Sequence, residues 1–84
     1  MPDEKLNEQI KTFIRVSFLD GDPKGELQNS TPLLEWGVLN SLNTVRLVAF
    51  IRDELGVKIP ALDINGVNFK DVRSITELVA ARRG

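Results

Sequence analysis

An all-α bundle is predicted by three features of the 84-residue sequence. Apolar residues recur at helical spacing in three segments, glycine and proline clusters separate those segments, and no stretch alternates apolar with polar residues for long enough to make a strand. The predicted layout is three longer helices over about 4–19, 41–55 and 74–82, a short third helix near 67–71, and a long ordered loop over 20–40. This length and a 42% apolar fraction allow one modest core, so residues 1–84 are expected to form a single domain with no deep catalytic cavity.

The first helix rests on Leu6, Ile10, Phe13 and Ile14, one stripe of an amphipathic helix, with Asp3 as the expected N-cap and Asp3 and Glu4 at its positive end. Asp20-Gly21-Asp22-Pro23-Lys24-Gly25 cannot continue it. The connection that follows is long for a compact domain, and such loops usually have a task. Leu27, Leu33, Leu34, Trp36, Val38 and Leu39 are expected to dock it on the core, with one helical turn after Thr31-Pro32. The second helix starts at Asn40 or Ser41. Leu42, Val45, Val48, Ala49, Arg52 and Leu55 recur at helical spacing, and Leu47, Phe50 and Ile51 widen the stripe, so a largely buried helix is predicted. Gly56 is a natural C′ residue, and Pro60 bars continuation and favours extended backbone before it. Val67, Phe69 and Val72 form one face of the short third helix, and Ser74-Ile75-Thr76-Glu77 reads as a capping box opening the last helix, with Ile75, Leu78 and Val79 inward and Arg82 and Arg83 at its negative end.

Composition removes several function classes. Eleven basic against 12 acidic residues give a net charge of −1, without the positive excess of a nucleic-acid binder. There is no cysteine, hence no disulfide framework or thiolate nucleophile, and no histidine, hence neither the usual base of a Ser-His pair nor the commonest transition-metal ligand. No apolar run reaches the length of a membrane span, and the polar, acidic-first N-terminus is unlike a signal peptide. A cytoplasmic, soluble chain, not an enzyme, with no metal, catalytic residue, nucleic-acid partner or membrane partner, is expected.

One junction could carry chemistry. In Trp36-Gly37-Val38-Leu39-Asn40-Ser41-Leu42, a serine sits where a long loop meets a helix. A hydroxyl there stands beside free backbone N–H groups and the positive end of the helix dipole, a place suited to a phosphate. Asn40 and Ser41 taken alone are equally read as ordinary helix-start chemistry.

The order of elements around that serine resembles acyl and peptidyl carrier proteins, over about residues 4–82. Their motif is a glycine, a few residues, then Asp-Ser-Leu, with 4′-phosphopantetheine on the serine at the start of the second helix. Gly37, Ser41 and Leu42 match it, whereas Asn40 stands where the aspartate is usual. By resemblance that aspartate helps place the carrier against the phosphopantetheinyl transferase and its metal; asparagine keeps the cap and loses the charge. One subgroup also has asparagine there. Thr31-Pro32-Leu33-Leu34-Glu35-Trp36-Gly37-Val38-Leu39-Asn40-Ser41, Arg52-Asp53-Glu54-Leu55-Gly56-Val57 and Phe69-Lys70-Asp71 resemble the stand-alone (type II) peptidyl carriers that hold L-proline during oxidation to pyrrole, of the pyoluteorin, clorobiocin and prodigiosin types.

The resemblance implies an acyl-carrier-like bundle with covalent 4′-phosphopantetheine on Ser41, capped by Asn40 and bearing an aminoacyl thioester. The implied partners are a phosphopantetheinyl transferase, a proline-adenylating enzyme, a flavin-dependent prolyl-carrier dehydrogenase and a downstream halogenase, ketosynthase or acyltransferase. A monomer suits such a shuttle. Candidate partner contacts are Val38, Leu39, Leu42, Asn43, Val45, Arg46, Phe69 and Lys70, with Thr44 nearby; Leu42, Val45 and Phe69 read equally as core, and Arg46 also reads as a solvated face residue. Trp36 is expected to anchor the loop on the bundle. The alternatives are a D-alanyl or other acyl carrier and a non-prosthetic helical interaction module; a small DNA-binding bundle and a Ser-Lys hydrolase have little in the residues to favour them.

Overall fold

The computed structural model describes residues 4–83 and contains three α-helices: α1 (Glu4–Phe18), α2 (Ser41–Glu54) and α3 (Val72–Arg83), with a single 3₁₀ turn over Ala61–Asp63. The all-α expectation holds, and no strand occurs among the described residues. The cap expected at Asp3 lies outside them. In α1 the predicted stripe is the buried one: Leu6, Ile10 and Ile14 are fully enclosed and face both α3 and α2. Phe13 lies at the edge of this face, its ring stacked on Phe50 of α2 at 4.2 Å and edge-on to Phe18 at 5.5 Å.

The chain leaves α1 as its composition requires. Asp20, Gly21 and Asp22 all take positive φ, and Gly21 N–H returns to the Arg15 carbonyl. Asp22 then turns inward. Its carboxylate accepts the N–H groups of Glu26 (3.0 Å) and Leu27 (2.9 Å), with Arg15 at 4.0 Å. These two bonds, that to Leu27 foremost, together with the nearby positive charges, hold its carboxyl below the usual range against the opposing effect of desolvation. Leu27, Leu33, Val38 and Leu39 dock on the core as expected. Two long-range backbone bonds fix the loop to the start of α3 and the residues just before it: Leu33 N–H to the Lys70 carbonyl (2.8 Å) and Arg73 N–H to the Asn29 carbonyl (3.1 Å). The helical turn after Pro32 is present, with Trp36 N–H donating to the Pro32 carbonyl at 3.0 Å. Leu34 and Trp36 depart from the expectation: they are 43% and 57% exposed. Gly37, at φ +74, turns the chain immediately after Trp36, and the smaller Val38 and Leu39 supply the docking contacts.

Helix α2 is less buried than predicted. Only Leu47 and Ile51 are enclosed, with Val48, Phe50 and Leu55 packed partly against the core. Leu42 and Val45 lie on the solvent side at 68% and 66% exposure. The helix is apolar on more than one face, so its period alone did not select the face turned inward. Its end is as predicted. Gly56 takes φ +70, and Val57 N–H reaches back to the Ile51 carbonyl at 3.1 Å.

Two predicted details are corrected between α2 and α3. There is no helix at 67–71; residues 65–69 make one turn, closed by Phe69 N–H on the Asn65 carbonyl (3.0 Å), and the 3₁₀ turn lies earlier. Asn65 Oδ1 takes the N–H groups of Val67 and Asn68, and Phe69 is drawn into the core, so the turn cannot extend. The last helix starts at Val72, not at a Ser74–Glu77 box. Asp71 is the cap, its carboxylate accepting Ser74 N–H at 2.8 Å, which places Ser74 inside the first turn. Val72, Ile75 and Val79 complete the core. Buried Thr76 donates to the Val72 carbonyl (2.8 Å), with Asn7 Oδ1 at 3.2 Å.

Candidate functional site

Ser41 is the first residue of α2 and is exposed. Its placement follows from the residues before it. Asn40 has extended backbone (φ −134, ψ −173), and its Oδ1 accepts Asn43 N–H at 2.8 Å while its carbonyl accepts Thr44 N–H at 2.8 Å. Asn43 reaches back in turn: its Nδ2 donates to the Val38 carbonyl at 3.0 Å. Leu39 N–H bonds the Leu33 carbonyl at 3.1 Å, and Leu33 is itself tied to Lys70. The serine thus stands on a junction bonded in both directions and backed by enclosed Val38 and Leu39.

Gly37 makes the approach possible. Its φ of +74 is costly for any residue with a Cβ, although a Cβ there would meet nothing within 4 Å. The requirement is conformational, not steric.

The electrostatics around Ser41 favour an anion. The N–H groups of Ser41 and Leu42 have no acceptor among the described residues, and the first turn of α2 carries no acidic side chain. Arg46 is the sole charged residue between positions 41 and 51. It lies over the Phe18 ring at 5.2 Å. Farther down, Arg52 Nε meets Asp53 at 3.0 Å, and that hydrogen bond holds the Asp53 carboxyl below its usual range; both groups are largely exposed, so the pair contributes little to stability. No group of three or more potential metal ligands occurs among the described residues. An exposed primary hydroxyl, free N–H donors and a first turn without an acidic residue fit a phosphodiester esterified to the serine oxygen.

The other candidate residues divide. Leu42, Val45, Arg46 and Lys70 are exposed, and Asn43 is half-buried and committed to Val38. Val38, Leu39 and Phe69, expected as partner contacts, are 7%, 3% and 2% exposed and pack in the core. Leu62, at 91%, and Ile64, at 37%, are exposed apolar residues that no helical pattern flagged, because they lie in an irregular segment.

These features define a class, the phosphopantetheine carriers. Residues 8–81 match the family described as "Phosphopantetheine attachment site", and the chain belongs to it; 4′-phosphopantetheine is its prosthetic group. Among curated proteins it is similar to the "Probable acyl carrier protein PigG" of Serratia sp. (strain ATCC 39006), with 36% identity over 74 residues, covering 88% of this chain and 84% of the relative. Among solved structures it is similar to a chain in one described as "Crystal structure of FAD-dependent dehydrogenase", with 39% identity and a TM-score of 0.75, covering 82% of this chain and 96% of that one. No helix among the described residues is long and apolar enough to cross a membrane.

Proposed function

We propose that Ser41 bears the 4′-phosphopantetheine and that the chain presents an L-prolyl group for oxidation to pyrrolyl-2-carboxyl. The observation that carries the attachment point is the exposed Ser41 hydroxyl at a capped helix start with free N–H donors and no acidic residue in the first turn. The bound group supplies a terminal thiol on a flexible arm, to which the aminoacyl cargo is joined as a thioester. The chain's own residues then have three tasks. Asn40 fixes the first turn, Gly37 and Leu39 set the loop that leads to it, and the N–H groups of Ser41 and Leu42, which have no acceptor among the described residues, would be the donors available to the phosphodiester.

The cargo assignment draws on two likenesses. The matched relative is an acyl carrier. The matched solved chain is covered over 96% of its length by 82% of this short one, too small to be a flavin dehydrogenase itself. A carrier-sized chain accompanying an FAD-dependent dehydrogenase supports a carrier whose cargo is oxidised while tethered. On this reading the partners are a phosphopantetheinyl transferase, a proline-adenylating enzyme, the flavin dehydrogenase and a downstream halogenase, ketosynthase or acyltransferase, all in the cytoplasm.

The test is the intact mass of the chain from its producing cells, with fragmentation to eject the arm and cargo. The expected result is phosphopantetheine bearing prolyl or pyrrolyl-2-carboxyl in the parent, and in Ser41→Ala an unmodified chain with an unchanged circular dichroism spectrum. An alanyl or other acyl cargo overturns the proline assignment. A modified Ser41→Ala chain overturns the attachment point.

A further inference from the structure

Of the six asparagines in the chain, only Asn65 precedes a glycine. That pair is the most labile amide present, because the backbone nitrogen after an asparagine can attack the side-chain carbon Cγ, and glycine puts no Cβ in the way. Both residues are exposed, and neither lies in a helix. Three further observations bear on the attack. The Gly66 N–H, the attacking group, donates to no acceptor among the described residues, so no hydrogen bond has to break to free it. The Asn65 Oδ1 accepts the N–H groups of Val67 (3.1 Å) and Asn68 (2.9 Å). That oxygen gains negative charge when Cγ becomes tetrahedral, and both donors are already aimed at it, as in an oxyanion hole. Charge does not oppose the step either. Asp63 is the only charged residue between positions 59 and 69, and Arg82 of α3 is paired with it. The leaving nitrogen, Nδ2, is held only by the longest bond of the set, to the Leu62 carbonyl at 3.2 Å.

We infer that Asn65-Gly66 is a self-modification site, converting in the folded chain, without an enzyme, to aspartate and to β-linked isoaspartate. The Gly66 nitrogen gives its proton to solvent and bonds to Asn65 Cγ. The Cγ–Nδ2 bond breaks, and Nδ2 takes a proton and leaves as ammonia. Water then opens the cyclic imide that remains. Cleavage of the new Cγ–N bond gives an ordinary aspartate; cleavage of the original peptide bond gives isoaspartate, with the chain running through the former side chain. Water is consumed and ammonia released, with no oxidant or reductant. The consequence reaches the loop before Ser41. Either product adds one negative charge to a chain of net charge −1 and loses the Nδ2 donor to Leu62. The β-linked form also lengthens the backbone inside the turn that Phe69 N–H closes on the Asn65 carbonyl. The next carbonyl, that of Lys70, holds Leu33 N–H, and the Leu33 carbonyl holds Leu39 N–H beside Asn40. The chain therefore ages at a point joined by backbone bonds to the junction that positions Ser41. The inference stands apart from what Ser41 bears.

The test is a timed incubation of the full chain at neutral and mildly alkaline pH, under conditions where circular dichroism shows it folded. Trypsin releases residues 59–70 as one peptide, which holds both Asn65 and Asn68, and fragmentation locates aspartate and isoaspartate within it. The expected result is conversion at Asn65 while Asn68 keeps its amide, at a rate no lower than in a free synthetic peptide of residues 59–70. Gly66→Ala is the control. A Cβ there meets only Leu34 Cδ1, at 3.6 Å, and the position needs no positive φ, so the fold is kept while conversion slows at least several-fold. The isoaspartyl fraction is expected to exchange its amide hydrogens faster over residues 33–39 and 65–70 than the parent does. Conversion slower in the folded chain than in the peptide would mean that the Val67 and Asn68 N–H groups guard the amide, and overturns the inference. Equal conversion at Asn68, or an unchanged rate in Gly66→Ala, overturns it as well. Unchanged exchange over residues 33–39 in the isoaspartyl fraction overturns the link to the Ser41 junction.

Discussion

Replacing Asn40 by alanine removes the side-chain oxygen that accepts Asn43 N–H at 2.8 Å and leaves α2 without its N-cap. The cap is exposed, so water partly replaces it, and the loss is about 1 kcal/mol. For a domain of this size that corresponds to a fall in melting temperature of about 4–8 °C. Aspartate at the same position keeps an acceptor and adds a negative charge to a first turn that has none, so Asn40→Asp should be more stable than the parent by about 0.3–1 kcal/mol at low salt. Thermal melts of the parent and both variants, followed by circular dichroism, read the two effects. The order expected is aspartate above asparagine above alanine, with the aspartate advantage shrinking as salt is added. An alanine variant melting within about a degree of the parent would refute the capped junction, and with it the fixed position of Ser41.

Two other changes probe the scaffold. Ile51 is fully enclosed in α2, so Ile51→Ala should cost about 2–5 kcal/mol, a large part of the stability of any small domain, measured by urea unfolding. The Asp22 carboxyl titrates lower in the folded chain than its ordinary 3.8, so its stabilisation is complete above that value and is lost as pH falls through the lower folded one. Asp22→Asn should therefore melt below the parent at neutral pH, and the gap should close in strong acid; a constant gap across that range would contradict the bonding described.

The readable parts of this fold are those where one local pattern has one structural solution. Leu6, Ile10 and Ile14 share one stripe with polar residues around it over the first two turns of α1, so its inward face was legible there. Gly56 before an extended segment and Ser41 after Asn40 were legible for the same reason. Helix α2 was not, because Leu42 and Val45 satisfy the helical period as well as Leu47 and Ile51 do; only the packing of α1 decides between them. At α3 only the Ser74–Glu77 spacing was read as a helix start, and the structure shows that the spacing from Asp71 is the one used. Asp71 three residues before Ser74 and Ser74 three before Glu77 have the same spacing, and the Ile75 N–H bond to the Asp71 carbonyl decides for the earlier start. Trp36 was misjudged because size suggested burial, whereas a loop turned at Gly37 leaves the ring outside. The pairing of Asp63 with Arg82 had no local signal at all.

Trp36 has one more consequence. The chain holds one tryptophan and no tyrosine, so its near-ultraviolet emission comes from a single indole. That ring is more than half in solvent, in the loop leading to Ser41, where the wavelength of its light depends on how wet it is. The molecule carries its own optical gauge: any enzyme that settles over this loop dries the ring and shifts its colour, so encounters can be timed without attaching a dye.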